Sequence, residues 1–201
     1  MLKIAIIPVV ILMLGVCSAS FAATDQHALF QPFVVYKDKG LPTSYAPSGY
    51  MPTGGCVTVN DAWTQDCQEG KSCIQVIYDT LCSAQDQGWA GVYWLYPANN
   101  WGDHKGRDLT GATKLVFWAR GKKGGEVIAE FKMGGVGVNS PFPDSDTVGI
   151  GPVTLSTEWR EYSIDLRGRD LSSISGGFAW IADVGSNPDS CTFFLDDIHF
   201  E

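Results

Sequence analysis

Gln87–Gly121 reads QGWAGVYWLYPANNWGDHKGRDLTGATKLVFWARG, and its two arms decide the fold. In the first arm Ala90, Val92, Trp94 and Tyr96 fall on one side, and Trp89, Gly91, Tyr93 and Leu95 on the other. In the second, Leu115, Phe117 and Ala119 alternate with Val116, Trp118 and Arg120. Period-two alternation is the mark of a strand with one face turned to a core. Between the arms runs a polar loop, PANNWGDHKG, whose single large ring is Trp101. Strand, long aromatic loop, strand is the expected order. Four of the seven tryptophans lie in this one stretch. One small core cannot absorb so many large rings with polar handles, so some are expected to face water. Rings beside Asn, Asp and Arg hold sugars, because pyranose C–H faces stack on them while amides and charges take the hydroxyls. Rings also build sandwich cores, and for any single ring both readings stand.

Working outward, Phe33–Tyr36 and Cys73–Tyr78 are β-prone. Glu126–Met133 is expected as one strand, with Val127, Ala129, Phe131 and Met133 inward and Ile128, Glu130 and Lys132 outward. Trp159–Leu166 is expected to bury Tyr162, Ile164 and Leu166, and Gly177–Asp183 and Thr192–Phe200 close the series. Gly, Pro, Asn and Asp clusters separate these runs, and no sustained helical period follows the first residues. Many short strands with turn signals predict an all-β, two-sheet antiparallel sandwich.

The first residues read differently. Lys3, the apolar run Ile4–Val16 and the small residues around Ser20-Phe21-Ala22 predict a signal peptide over residues 1–22, cleaved after Ala22. The run is too short to span a bilayer and no stop-transfer pattern follows. Leu14-Gly15-Val16-Cys17 has some likeness to a lipobox, but Val16 stands where a small residue belongs. The expected product is a secreted or periplasmic protein with one sandwich domain over residues 28–201 and no membrane span. Without Lys3 the chain carries 13 basic and 22 acidic side chains, a balance of −9. Such a surface repels nucleic acid and anionic membranes.

Cysteine usage fits export. With Cys17 in the leader, five remain: Cys56, Cys67, Cys73, Cys82 and Cys191. Cys67 and Cys73 bracket the polar turn Gln-Glu-Gly-Lys-Ser, so a bridge there would staple a hairpin. The odd count leaves at least one of Cys56, Cys82 and Cys191 free or paired with another chain, and the spacing does not say which. No CxxC pair or His cluster indicates zinc; His27, His104 and His199 are scattered. The sequence holds no GxSxG, HExxH, GxxxxGK[ST] or dinucleotide motif. Glu130 with Asp183 is an imaginable glycosidase pair. Asp144 and Asp146, in PFPDSDT, are possible oxygen ligands for an ion.

The closing strand TFFLDDIHF, the strand FWARG followed by GGEVIAEFKMGG, and STEWREYSIDL together resemble galactose-binding-domain-like jelly rolls, from about Gln31 to Glu201. These sandwiches occur among the carbohydrate-binding modules attached to glycanases. More narrowly, PSGYM, WAGVYW, NNWGD and LDDI look like a group of secreted bacterial proteins without assigned activity. The resemblance implies a structural calcium where the first and last strands meet. The matching residues are Asp196 and Asp197, with Asp38 the nearest acid in the first strand region. Adjacent strand residues point to opposite faces, so only one of the pair can lie inward. A cap or ion pair at the sheet edge is the other reading.

The expected glycan site is a sheet face carrying Trp118, Arg120, Glu130 and Lys132, supplemented by Tyr93 and by Asn99, Asn100, Trp101 and Asp103 at its rim. The other reading of the charges is two cross-strand salt bridges on a solvated sheet face beside a half-buried Trp. The expectation is a non-catalytic carbohydrate-binding module whose partner is a polysaccharide. The alternatives are an envelope structural or assembly protein, and a small polysaccharide lyase or glycosidase.

Overall fold

The computed structural model describes residues 30–52, 54–85 and 87–201, so the signal-peptide reading lies outside the described residues. The chain runs β1 (Phe33–Tyr36), β2 (Ala46–Met51), β3 (Val57–Trp63), β4 (Cys73–Tyr78), α1 (Thr80–Ser83), β5 (Trp89–Leu95), β6 (Lys114–Gly121), β7 (Val127–Ile128), β8 (Glu130–Gly134), β9 (Thr147–Ile150), β10 (Val153–Thr154), β11 (Arg160–Asp165), β12 (Gly176–Asp183) and β13 (Cys191–Phe200). The first sheet orders β11-β6-β13-β4-β3, with β1 also on β13; the second orders β2-β5-β12-β8-β9; β10 and β7 form a separate ribbon. Every pairing is antiparallel. The expected two-sheet jelly-roll sandwich is the fold.

The alternation of the two founding strands settles which faces meet. Val92 and Trp94 of β5, and Leu115 and Phe117 of β6, are buried in one inter-sheet core. Phe117 stands at its centre, with ring centroids 4.8 Å from Phe131, 5.1 Å from Phe178 and 5.7 Å from Tyr162. Each such ring withdrawn from water contributes roughly 1.5–3 kcal/mol before its ordering cost.

The 126–133 segment departs from expectation. It is two strands, and Ile128 is fully buried rather than outward. Val127 and Ile128 pair with β10, whereas Phe131 pairs with β12 and β9. Ala129 sits between, donating its N–H to Ile181 O at 2.8 Å. The break shifts the alternation by one residue, so Ile128 and Phe131 both point inward. One helical turn, α1, was also not foreseen; Asp79 caps it by accepting from Cys82 N at 3.0 Å.

β13 changes neighbours halfway along one edge. Cys191–Leu195 pair with β4, and Ile198–Phe200 pair with β1. The handover falls at Asp196 and Asp197, where the register with β6 also shifts and Asp197 takes φ +43°.

Candidate functional site

Each sheet turns one face away from the core, and the residues nominated from sequence divide between the two. Trp118 and Arg120 alternate with Phe117 and Ala119, so they lie on the outer face of the first sheet. Glu130 and Lys132 alternate with Phe131 and Met133, so they lie on the outer face of the second. The single face expected to carry all four does not exist. The residues are close in sequence, but β6 and β8 belong to opposite layers.

The outer face of the second sheet sets glycines beside its larger side chains. One row crosses all five strands in register: Gly49, Tyr93, Ala179, Lys132, Gly149. A second runs Met51, Gly91, Ile181, Glu130. Large side chains lie over the glycines beside them. A Cβ at Gly49 would stand 2.7 Å from Tyr93 Cβ, one at Gly91 would stand 2.9 Å from Met51 Cε, and one at Gly149 would stand 2.7 Å from Glu130 Oε1. Side chains bent over glycines make a shallow platform rather than a ridge. At its centre Glu130 Oε2 lies 3.6 Å from Lys132 Nζ, so donor and acceptor stand side by side.

Two loops fold over one end of this platform. Tyr93 is its floor: the ring is buried, and its hydroxyl donates to Gly134 O at 2.9 Å. Burial raises the Tyr93 pKa well above the usual phenol range, so the group stays a neutral donor. Val136 packs on Tyr93, Leu95 and Ala179. Trp101 stands on Tyr93 edge-on, at 6.2 Å and 85°, and is 39% exposed. It is the ring that the polar loop around it left free to face water.

Asn100 does a different job from the one expected. It is buried, and its amide Nδ2 donates to Tyr96 O, His104 O and Ser175 Oγ. Its Oδ1 accepts from Gly102 N and His104 N, each at 3.0 Å. The side chain is fully spent on shaping the loop that carries Trp101.

On the opposite outer face Arg120 is likewise committed. Its guanidinium lies 4.1 Å from the Phe194 ring centroid and 5.3 Å from that of Trp159, the range of a cation–π contact. Trp159 Nε1 donates to Asp66 O at 2.8 Å, and Trp63 packs on Phe194 at 5.8 Å. Trp118, half-buried, sits in register between Glu161 and Asp196. Sequence reasoning missed the platform glycines, Met51 and Ile181. The signal was present in WAGVYW and PSGYM, where glycine interrupts large side chains at strand spacing.

The carboxylates expected to share calcium are engaged by backbone. Asp196 Oδ2 accepts from Gln68 N at 3.0 Å and Glu69 N at 3.2 Å, and its Oδ1 accepts from Asp197 N. Asp38 Oδ1 accepts from Lys71 N and Ser72 N, each at 2.7 Å. Asp197 lies 3.5 Å from His199 Nδ1 and 3.9 Å from Lys37 Nζ. Among the described residues, the one group with three potential ligand atoms within 4.8 Å of one another is Cys67, Cys73 and Asp196. Its sulfurs are joined in a disulfide. A hard cation wants six or more converging oxygens, and this donor set does not fit one. Asp144 is spent on the N–H groups of Val136, Ser175 and Gly176, and Asp146 on those of Thr147 and Asp170. Neither matches the second ion site considered above. Of the imagined acid pair, Glu130 is engaged with Lys132, and Asp183 accepts from Ser186 N and Oγ.

Cys67 and Cys73 are bridged as the turn between them predicted, and Cys56 pairs with Cys82. Among the described residues the free thiol is Cys191, buried between the sheets, where desolvation raises its pKa to about 12.

The architecture is that of a jelly-roll sandwich, and solved structures share that fold. A family 30 carbohydrate-binding module matches with TM-score 0.53 at 19% identity, covering 85% of this chain and 87% of that one. The family 30 module of a cellulosomal cellulase from Clostridium thermocellum matches with TM-score 0.52 at 20% identity, covering 85% and 97%. At these identities the likeness establishes the fold. No protein-family model and no curated protein matches the chain.

Proposed function

We propose that this is an exported carbohydrate-binding module that holds a glycan on the outer face of its second sheet. The observation that carries the reading is the glycine-levelled platform, bordered by the exposed ring of Trp101 and centred on Lys132 and Glu130. The exposed indole stacks on the C–H surface of a sugar ring, and the ammonium and carboxylate on the same sheet face serve its hydroxyls. The likeness to family 30 carbohydrate-binding modules supports this use of the sandwich, although a fold alone does not assign a function. Its two disulfides suit an oxidising compartment, in keeping with the leader-like first residues. The partner expected is a polysaccharide. Binding without catalysis is favoured because Asp183, the imagined partner of Glu130 in an acid pair, is taken up by the N–H and hydroxyl of Ser186. Affinity electrophoresis against a panel of soluble polysaccharides tests the reading. A retarded band that Trp101→Ala and Lys132→Ala both release supports it. Free migration on every polysaccharide rejects it in favour of an envelope assembly role, and release of reducing ends would point instead to a glycan-cleaving enzyme.

A further inference from the structure

Two aromatic rings among the described residues are strongly exposed, Trp101 at 39% and Phe142 at 46%. They stand on different loops that are stitched together. Phe142 N donates to Gly102 O at 3.0 Å, and Ser140 Oγ donates to Trp101 O at 3.1 Å. The backbones touch: a Cβ at Gly102 would lie 2.6 Å from Ser140 Cβ and 2.9 Å from Gly137 Cα. Val138, 77% exposed, projects from the same loop as Phe142. Both loops are tied down at their bases, one by the spent amide of Asn100 and the other by Asp144, which takes three backbone N–H groups. These apolar side chains are therefore held in water by a fixed frame. Exposed apolar groups clustered in one place mark a contact surface.

We infer that Trp101, Val138 and Phe142 form an outer rim that extends the platform, so that the site takes a length of glycan chain crossing from the sheet onto the loop tips. This rests on the glycan-binding reading above. Continuity favours a glycan as the occupant: Trp101 belongs to both surfaces, seated on Tyr93 of the platform and bonded through its carbonyl to the loop of Phe142. Charge disfavours an anionic bilayer, since the chain carries a net −8 and Asp103 lies exposed beside Trp101.

The test is calorimetric titration with the disaccharide and hexasaccharide of the cello-, xylo- and manno- series. Phe142→Ala and Val138→Ser should leave melting unchanged and weaken hexasaccharide binding about tenfold, with little effect on the disaccharide. Phe142→Tyr should retain hexasaccharide binding, and Trp101→Ala should weaken both lengths. If Trp101→Ala weakens binding and Phe142→Ala leaves the hexasaccharide at wild-type affinity, the rim is refuted while the platform stands. If no series binds wild-type protein, both fall. Co-sedimentation with phosphatidylcholine vesicles that is lost in Phe142→Ala would overturn the rim as a glycan contact and make the loops a lipid-docking device.

Discussion

Asp38 and Asp196 grip the two ends of one loop. Asp196 takes the N–H groups of Gln68 and Glu69, and Asp38 those of Lys71 and Ser72, so the turn stapled by Cys67 and Cys73 is held at both ends by carboxylates from the first and last strand regions. The two titrate in opposite directions. The N–H donors lower the Asp38 pKa, while burial raises that of Asp196 from 3.8 to about 6 against the pull of its own donors.

The sign for Asp196 follows by linkage. A group whose folded pKa lies above its unfolded value stabilises the fold below the unfolded pKa, and that contribution is lost as pH rises through the folded one. The melting-temperature advantage of wild type over Asp196→Asn should therefore shrink as pH rises from 3.8 through about 6. Scanning both proteins across that window checks it, and a constant difference would contradict the burial effect.

A chelator should leave the melting temperature where it is, and millimolar calcium should not raise it. The carboxylates expected to hold the ion already accept from backbone N–H groups, and no ligand linkage follows without a site. A rise of several degrees with calcium would show that these carboxylates rearrange around a cation.

The two bridges should differ in worth. Cys67–Cys73 closes a short loop, and replacing both residues by Ser should cost about 2 kcal/mol. Cys56–Cys82 spans 26 residues, and its loss should cost about 3.5 kcal/mol on the chain-entropy account. Urea denaturation of each double variant measures both, and peptide mapping under non-reducing conditions checks the pairing.

Three tryptophans should separate binding from stability. Trp101→Ala should weaken glycan binding by ~1–3 kcal/mol with little change in melting. Trp118→Ala, on the opposite outer face, should leave glycan binding intact. Trp94→Ala, in the core, should cost ~3–5 kcal/mol of stability. Loss of binding in Trp118→Ala at unchanged stability would move the site to the other sheet.

The sandwich was legible because alternation groups residues by side: Trp94 fell with Val92, and Phe117 with Leu115, and in the structure those are the sides turned to the core. β2 escaped because Ala46–Met51 sets Pro, Ser and Gly in succession, and β9 because Thr147–Ile150 is only four residues long with a glycine inside it. The break at Ala129 escaped because pairing with β10, a contact distant in sequence, imposes it. Trp101 was legible as a ring without apolar neighbours. Its companions were misassigned because spacing gives the side of a strand and never the sheet to which the strand belongs. Asn100 was read as a ligand group since an amide in a loop looks the same whether it faces solvent or its own backbone.

The placement of Cys191 bears on how the chain acquires its cross-links. Both bridges are contained within residues 56–82, whereas the unpaired thiol lies on the final strand. A chain emerging N-terminus first can complete its oxidative pairing before the competing sulfur arrives. When β13 then inserts between β6 and its other neighbours, it carries that sulfur into the dry interior, where a thiol held at a pKa of about 12 has almost no thiolate with which to attack a finished bridge. The order of residues along the chain thus keeps the sulfur of Cys191 out of the pairing among the four cysteines of residues 56–82.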